Sequence, residues 1–129
     1  GCLDESDEEM LRSVTAAINE GIKVGCTGCA YCMPCPKGVN IPGTFASYNA
    51  SYAMGMYMGL KQYVLSTGAH ASADHLASLC VGCGKCTKHC PQNIDIPQVL
   101  KSAKKRLEIP GFKLALKGVR VVLKARSRE

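Results

Sequence analysis

Apolar residues along the chain recur mostly at three- and four-residue intervals, so the pattern predicts helices. Met10, Val14, Ile18 and Ile22, with Leu11 beside them, form one apolar face of a first helix ending near Gly25. Ser6-x-x-Glu9 supplies a capping box for its start. Such a face needs a surface to dock on. Phe45, Tyr48, Tyr52, Met56, Leu60 and Val64 extend the same spacing into one long helix from Pro42 to the Ser66-Thr-Gly68 stretch. A shorter helix around Ala73–Leu79 follows, then one marked by Leu100, Ala103 and Leu107 that Pro110-Gly111 terminates. Phe112, Ala115, Leu116, Val119, Val122 and Leu123 mark a last helix, in which three valines leave a strand as the competing choice.

Two segments repeat each other. Cys26-Thr-Gly-Cys29-Ala-Tyr-Cys32 matches Cys80-Val-Gly-Cys83-Gly-Lys-Cys86 at an offset of 54, and Cys35-Pro through Pro42 matches Cys90-Pro through Pro97 at 55. A duplicated unit of cysteine loop, proline and helix implies a pseudo-twofold fold. Pro42 and Pro97 suit the first helical turn, where a missing N–H costs nothing, and Asn40 and Asp95 stand ready as caps. The expected fold class is all-α, with two Cys-rich loops related by a pseudo-twofold repeat. The expected division is 1–24 as an acidic helix, 25–109 as the cysteine-bearing body, and 110–129 as a basic amphipathic helix with a frayed tail. Because the chain opens Gly-Cys without Met, we expect residues 1–24 to link it to an upstream domain.

With 129 residues, no Trp and two Phe, the chain has little bulk to bury and needs help beyond packing. Its nine cysteines are that help. Eight stand in two tight groups, unlike the spread of a disulfide framework, and no secretory signal precedes them. We therefore expect thiolate–metal ligation in a reducing, cytoplasmic compartment. No apolar run reaches the roughly 18 residues of a membrane span.

Cys80-x2-Cys83-x2-Cys86-x3-Cys90-Pro91 has the spacing that holds a [4Fe–4S] cluster in bacterial ferredoxins: three thiolates converge on one cube and the fourth reaches a neighbouring cluster. By that analogy Cys26, Cys29, Cys32 and Cys90 hold cluster 1, and Cys80, Cys83, Cys86 and Cys35 hold cluster 2. The first run is one residue shorter before Cys35, which leaves local closure by Cys35 as the alternative. Zinc in two four-cysteine sites, giving a zinc-stabilised interaction module, competes with clusters, although such sites usually come as separated knuckles. His70, His75 and His89 are lesser candidates against ordinary surface or core roles, Tyr31 and Met33 shield a cluster or fill space, and Cys2 is a free thiol. Met54, Tyr57 and Met58 read better as core than as a docking surface, and Gly55 and Gly59 permit a close approach of another element.

Residues 1–20 hold six acids against Arg12, whereas residues 101–129 hold ten bases against two acids. The formal charge of +6 is mostly that basic tail, and two loaded clusters would lower it to about +2. No aromatic residue interleaves the basic positions, so no nucleic-acid partner is expected. No phosphate loop or nucleophile triad appears, so the chain carries no catalytic centre of its own.

The two cysteine runs, from Cys26 to Pro42 and from Cys80 to Pro97, resemble the C-terminal ferredoxin-type domain of a branch of the aldo/keto reductase family, over roughly residues 8–107. They are also similar to the helical cluster domains of succinate dehydrogenase and heterodisulfide reductase subunits. The resemblance implies an α-helical ferredoxin-like domain with two Cys-rich cluster loops, two [4Fe–4S] clusters, and electron transfer for an upstream reductase barrel or a separate redox partner. The barrel's Tyr, Lys, Asp and His are not in this chain, so no catalytic residue carries over.

Overall fold

The computed structural model describes residues 4–69 and 74–126, and among these it contains helices and turns but no strand. Helix α1 spans Glu5–Gly21, α2 Ile41–Ala53, α3 Met56–Val64, α4 Ile96–Leu107 and α5 Phe112–Arg126. Short turns fill the gaps: a π-helical turn at Leu65–Ala69 and 3₁₀ turns at Ala77–Leu79 and Thr87–His89. The all-α architecture is as expected, and the last segment is a helix despite its valines.

Helix α1 starts two residues earlier than the Ser6 box predicts. Asp4 is the N-cap, accepting from the Asp7 N–H at 2.9 Å while Asp7 accepts from Asp4 N–H at 3.3 Å, a reciprocal cap built from two aspartates. Glu5, Asp7 and Glu8 of the first turn also sit at the positive end of the helix dipole. The helix ends at Gly21 instead of Gly25 and buries none of its residues.

The long central helix is instead two. Gly55 takes φ of 90°, a left-handed torsion that an L side chain resists, and the chain folds back so that α3 packs against α2. The reversal is tight because Gly59 has no side chain: a Cβ there would lie 2.4 Å from Ser51 Cβ. The phase of burial resets across the break. Phe45 is fully buried in α2, but Tyr52 and Met56, on the predicted stripe, are exposed, and Tyr63 takes the core position in α3.

Helices α2 and α4 are duplicates of each other in more than sequence. Asn40 accepts from Gly43 N–H at 3.0 Å and Asp95 from Gln98 N–H at 3.3 Å, each followed by Ile-Pro. Ile41 and Ile96, and Phe45 and Leu100, occupy paired places in one core. That core also takes in Val24, Val39, Leu76, Ala103, Leu107, Phe112 and Leu116, so α5 closes one side of it. Arg106 ties α4 to the α2–α3 corner, donating to Ser51 Oγ at 2.7 Å and Ser51 O at 2.9 Å while its guanidinium stacks on Tyr52.

Candidate metal centre

Both cysteine loops are irregular backbone hung from helix N-termini, and their torsions repeat. Gly28 and Gly82 share φ of 73°, Ala30 at 61° matches Gly84 at 69°, and Gly38 at 76° matches Asn93 at 51°. These left-handed residues, a torsion that an L side chain resists, keep each cysteine run in irregular loop backbone instead of helix or strand. Ala30 holds this torsion without being glycine, a local strain of the kind that functional loops carry. The change of offset from 54 to 55 has a structural counterpart: the second loop inserts the 3₁₀ turn Thr87–His89 between Cys86 and Cys90, where the first has only Met33-Pro34.

Each loop is approached through a clamp that the sequence pattern does not reveal. Asn49 of α2 accepts from both Lys23 and Val24 N–H at 3.0 Å and donates to Val24 O at 2.8 Å, fixing the approach to Cys26. Tyr63 of α3 accepts from Ala77 N–H at 2.7 Å and donates to Glu108 at 2.7 Å, and the same Glu108 oxygen accepts from Ser78 N–H at 2.8 Å. That second clamp fixes the approach to Cys80. Tyr63 and Glu108 are 45 positions apart, so only the fold pairs them.

Cys29 and Cys83 are exposed and the other six described cysteines are partly buried, with no disulfide among them. Burial pushes the Cys32 thiol pKa above its ordinary value; its backbone hydrogen bond opposes this, and Cys26, Cys86 and Cys29 reinforce it. Burial likewise raises Cys86, with backbone N–H groups of its own peptide and Thr87 opposing and Cys35 and Cys80 reinforcing. The two loops therefore face each other, with Cys86 within electrostatic reach of both. Gly28 N–H points at Cys26 Sγ at 3.4 Å, a donor of the type that stabilises a ligated sulfur.

An all-thiolate donor set, partly desolvated and lined by left-handed backbone with N–H groups aimed at sulfur, fits an iron–sulfur cluster. Among the described residues, no three His, Cys, Asp or Glu side chains are gathered as tightly as a single metal ion requires. Of the described histidines, His75 Nδ1 donates to Gly38 O at 2.7 Å, tying the exit of the first loop, and the exposed His89 lines a hollow with Cys32 and Cys86. His70 and Cys2 lie outside the described residues. Tyr31 is 69% exposed and lines a hollow with Cys32 and Cys86, and Met33 lines the same hollow while packing on the core. Met54, Tyr57 and Met58 are all exposed, which corrects their expected core role; the break at Gly55 turns them outward.

Fold and loops together define a helical ferredoxin-type iron–sulfur protein. Residues 25–94, more than half of the chain, match the model of the 4Fe-4S dicluster domain, and the chain belongs to that family. Its cofactor is of the [4Fe–4S] type and its role is iron–sulfur electron transfer. No curated protein and no solved structure matches the chain significantly. Among the described residues no helix is long and apolar enough to cross a membrane.

Proposed function

We propose that the chain carries two [4Fe–4S] clusters and passes single electrons between an oxidoreductase of aldo/keto reductase type and an external carrier, in a reducing cytoplasm. The reading rests on one observation above others: two cysteine loops with matching left-handed torsions face each other across the body. When bound, each cluster supplies a one-electron couple. Cys26, Cys29, Cys32 and Cys90 hold the first, and Cys80, Cys83, Cys86 and Cys35 the second. Cys86 lies within electrostatic reach of Cys35 and Cys80, as the crossed arrangement requires, and of Cys32 as well.

The chain's own residues do three things for the couple. Backbone N–H groups of the loops, Gly28 among them, hydrogen-bond sulfur and raise the potential relative to bare thiolates. The clamps at Asn49 and Tyr63 hold each run at fixed distance from the core, so little reorganisation accompanies a change of charge. Exposed Cys29 and Cys83 place one corner of each site at the surface, where a partner can approach. Residues 1–24 form the link to the reductase, 25–109 the cluster-bearing body and 110–129 the basic closing helix.

Iron, sulfide and zinc content of anaerobically purified and reconstituted protein tests this directly. About eight irons and eight sulfides per chain with dithionite-bleachable colour are expected; about two zincs without sulfide would refute it. Cys35→Ser and Cys90→Ser then test the crossing. Each should remove one electron-paramagnetic signal, Cys35→Ser that of the 80–86 site and Cys90→Ser that of the 26–32 site, and the reverse assignment would establish local closure.

A further inference from the structure

Among the described residues, two buried hydroxyls have no hydrogen-bond partner, Ser78 Oγ and Thr87 Oγ1. Burying a hydroxyl unpaired is costly, so each calls for an acceptor that the chain itself does not supply. Both stand in the second cysteine repeat. Ser78 is two residues before Cys80, and Thr87 directly follows Cys86. At the offset of 54 their counterparts in the first repeat are Val24 and Met33, whose side chains have no proton to donate. The duplicated units therefore differ in polarity at these two places.

The surroundings of the two hydroxyls are not alike. Ser78 already meets a carboxylate, since its N–H donates to Glu108 at 2.8 Å. Thr87 meets sulfur. Its N–H donates to Gly84 O at 3.2 Å and is also one of the two peptide groups that act on the Cys86 thiol. It opens the 3₁₀ turn Thr87–His89, which the first loop lacks. Lys85, Lys88 and His89 around it are exposed while Thr87 Oγ1 is sealed from solvent, so this hydroxyl is turned into the loop and away from water.

We propose that the Thr87 hydroxyl donates a hydrogen bond to a sulfur of the cluster held by Cys80, Cys83 and Cys86, and that this donor sets the potential of that cluster above that of the cluster on Cys26, Cys29 and Cys32. The inference rests on the two-cluster reading above. A donor to sulfur strengthens as negative charge grows there, so it stabilises the reduced cluster more than the oxidised one. Reduction adds one electron to the cluster core, and the hydroxyl keeps its proton, so only the electron is transferred. Peptide donors do not make the difference. The first loop aims the N–H groups of Gly28 and Cys32 at sulfur, and the second aims those of Cys86 and Thr87. With the peptide groups matched, the hydroxyl is the donor that one repeat has and the other lacks. A single electron delivered by the oxidoreductase then settles on the 80–86 cluster.

A redox titration of the anaerobically reconstituted protein with dithionite, followed by electron paramagnetic resonance, tests this. Cys83→Ser alters the signal of the 80–86 site and so identifies it, whichever way Cys35 and Cys90 close. In the unmutated protein the 80–86 signal should develop first as the potential falls. Thr87→Val keeps the shape of the side chain and removes the donor. It should lower the 80–86 midpoint by about tenfold in the reduction equilibrium, about 59 mV for one electron, and leave the 26–32 midpoint in place. Thr87→Ser keeps the hydroxyl and should stay within about twofold of the unmutated protein. A shift below about twofold in Thr87→Val, an equal shift at both sites, or a Thr87→Ser midpoint as low as that of Thr87→Val would each overturn the proposal. So would a 26–32 site that fills first, a result that needs no variant and therefore holds even where Thr87→Val fails to take up iron. About eight irons with equal midpoints would overturn this inference alone, whereas zinc without sulfide would overturn it together with the two-cluster reading.

Discussion

Replacing Tyr63 by Phe removes one oxygen and, with it, the clamp before the second cysteine run. The ring is fully buried against Phe112, so its packing survives the change. The Ala77 N–H, buried and left without its 2.7 Å acceptor, costs about 1–3 kcal/mol. Glu108 loses a donor at 2.7 Å but keeps Ser78 N–H and some solvent, so only part of the roughly 1.5–3 kcal/mol of a charge-assisted bond is lost. The sum is about 3 kcal/mol, concentrated three residues before Cys80. Because cluster ligation is coupled to folding, the measurement is the rate of loss of visible absorbance in urea with an iron chelator, together with spin-resonance intensities for the two sites. If about half of the clamp is broken at the barrier, loss accelerates on the order of tenfold, and the 80–86 site goes first. Burial pushes the Tyr63 phenol far above its ordinary pKa, so the acceleration should be the same across neutral and mildly alkaline pH. A change below about twofold, or equal loss from both sites, would refute the role given to the clamp.

Gly59→Ala drives a Cβ into Ser51 and should destabilise the α2–α3 reversal by about 1–3 kcal/mol, whereas Gly118→Ala, which meets nothing within 4 Å, should be neutral or stabilising; urea midpoints separate them. Arg106→Ala should cost about 1–3 kcal/mol and Arg106→Lys should recover little of it, because a lysine offers no planar fork to Ser51 and no stack on Tyr52; thermal unfolding reads both. In metal-free protein Cys32 and Cys86 should alkylate more slowly at mildly alkaline pH than exposed Cys29 and Cys83, by mass spectrometry of the labelled peptides, because raised pKa values leave less thiolate. The sign for stability of this metal-free form follows: its folded state holds these protons more tightly than the unfolded chain, so their contribution is full below the ordinary thiol pKa and is lost as pH rises through the raised values.

The cysteine loops and the helices after them were legible in the residue order, because the determinants are local. A cap, a proline and an apolar spacing act within one turn, and thiolate spacing acts within one loop, so Asn40, Asp95, Pro42, Pro97 and the two Cys runs could be read directly. The torsions at Gly28 and Gly82 follow from the same short stretches. The break of the central helix was not legible from its stripe, since periodicity cannot distinguish a glycine tolerated in a helix from one that reverses it; contact between Gly59 and Ser51 selects the reversal. Tyr63, Asn49 and Glu108 gained their roles only through partners far along the chain, where neither spacing nor propensity carries a signal. The exposure of α1 likewise depends on what the rest of the fold places, or fails to place, against it: an amphipathic pattern specifies that a face should be covered, and three-dimensional packing decides whether the same body covers it.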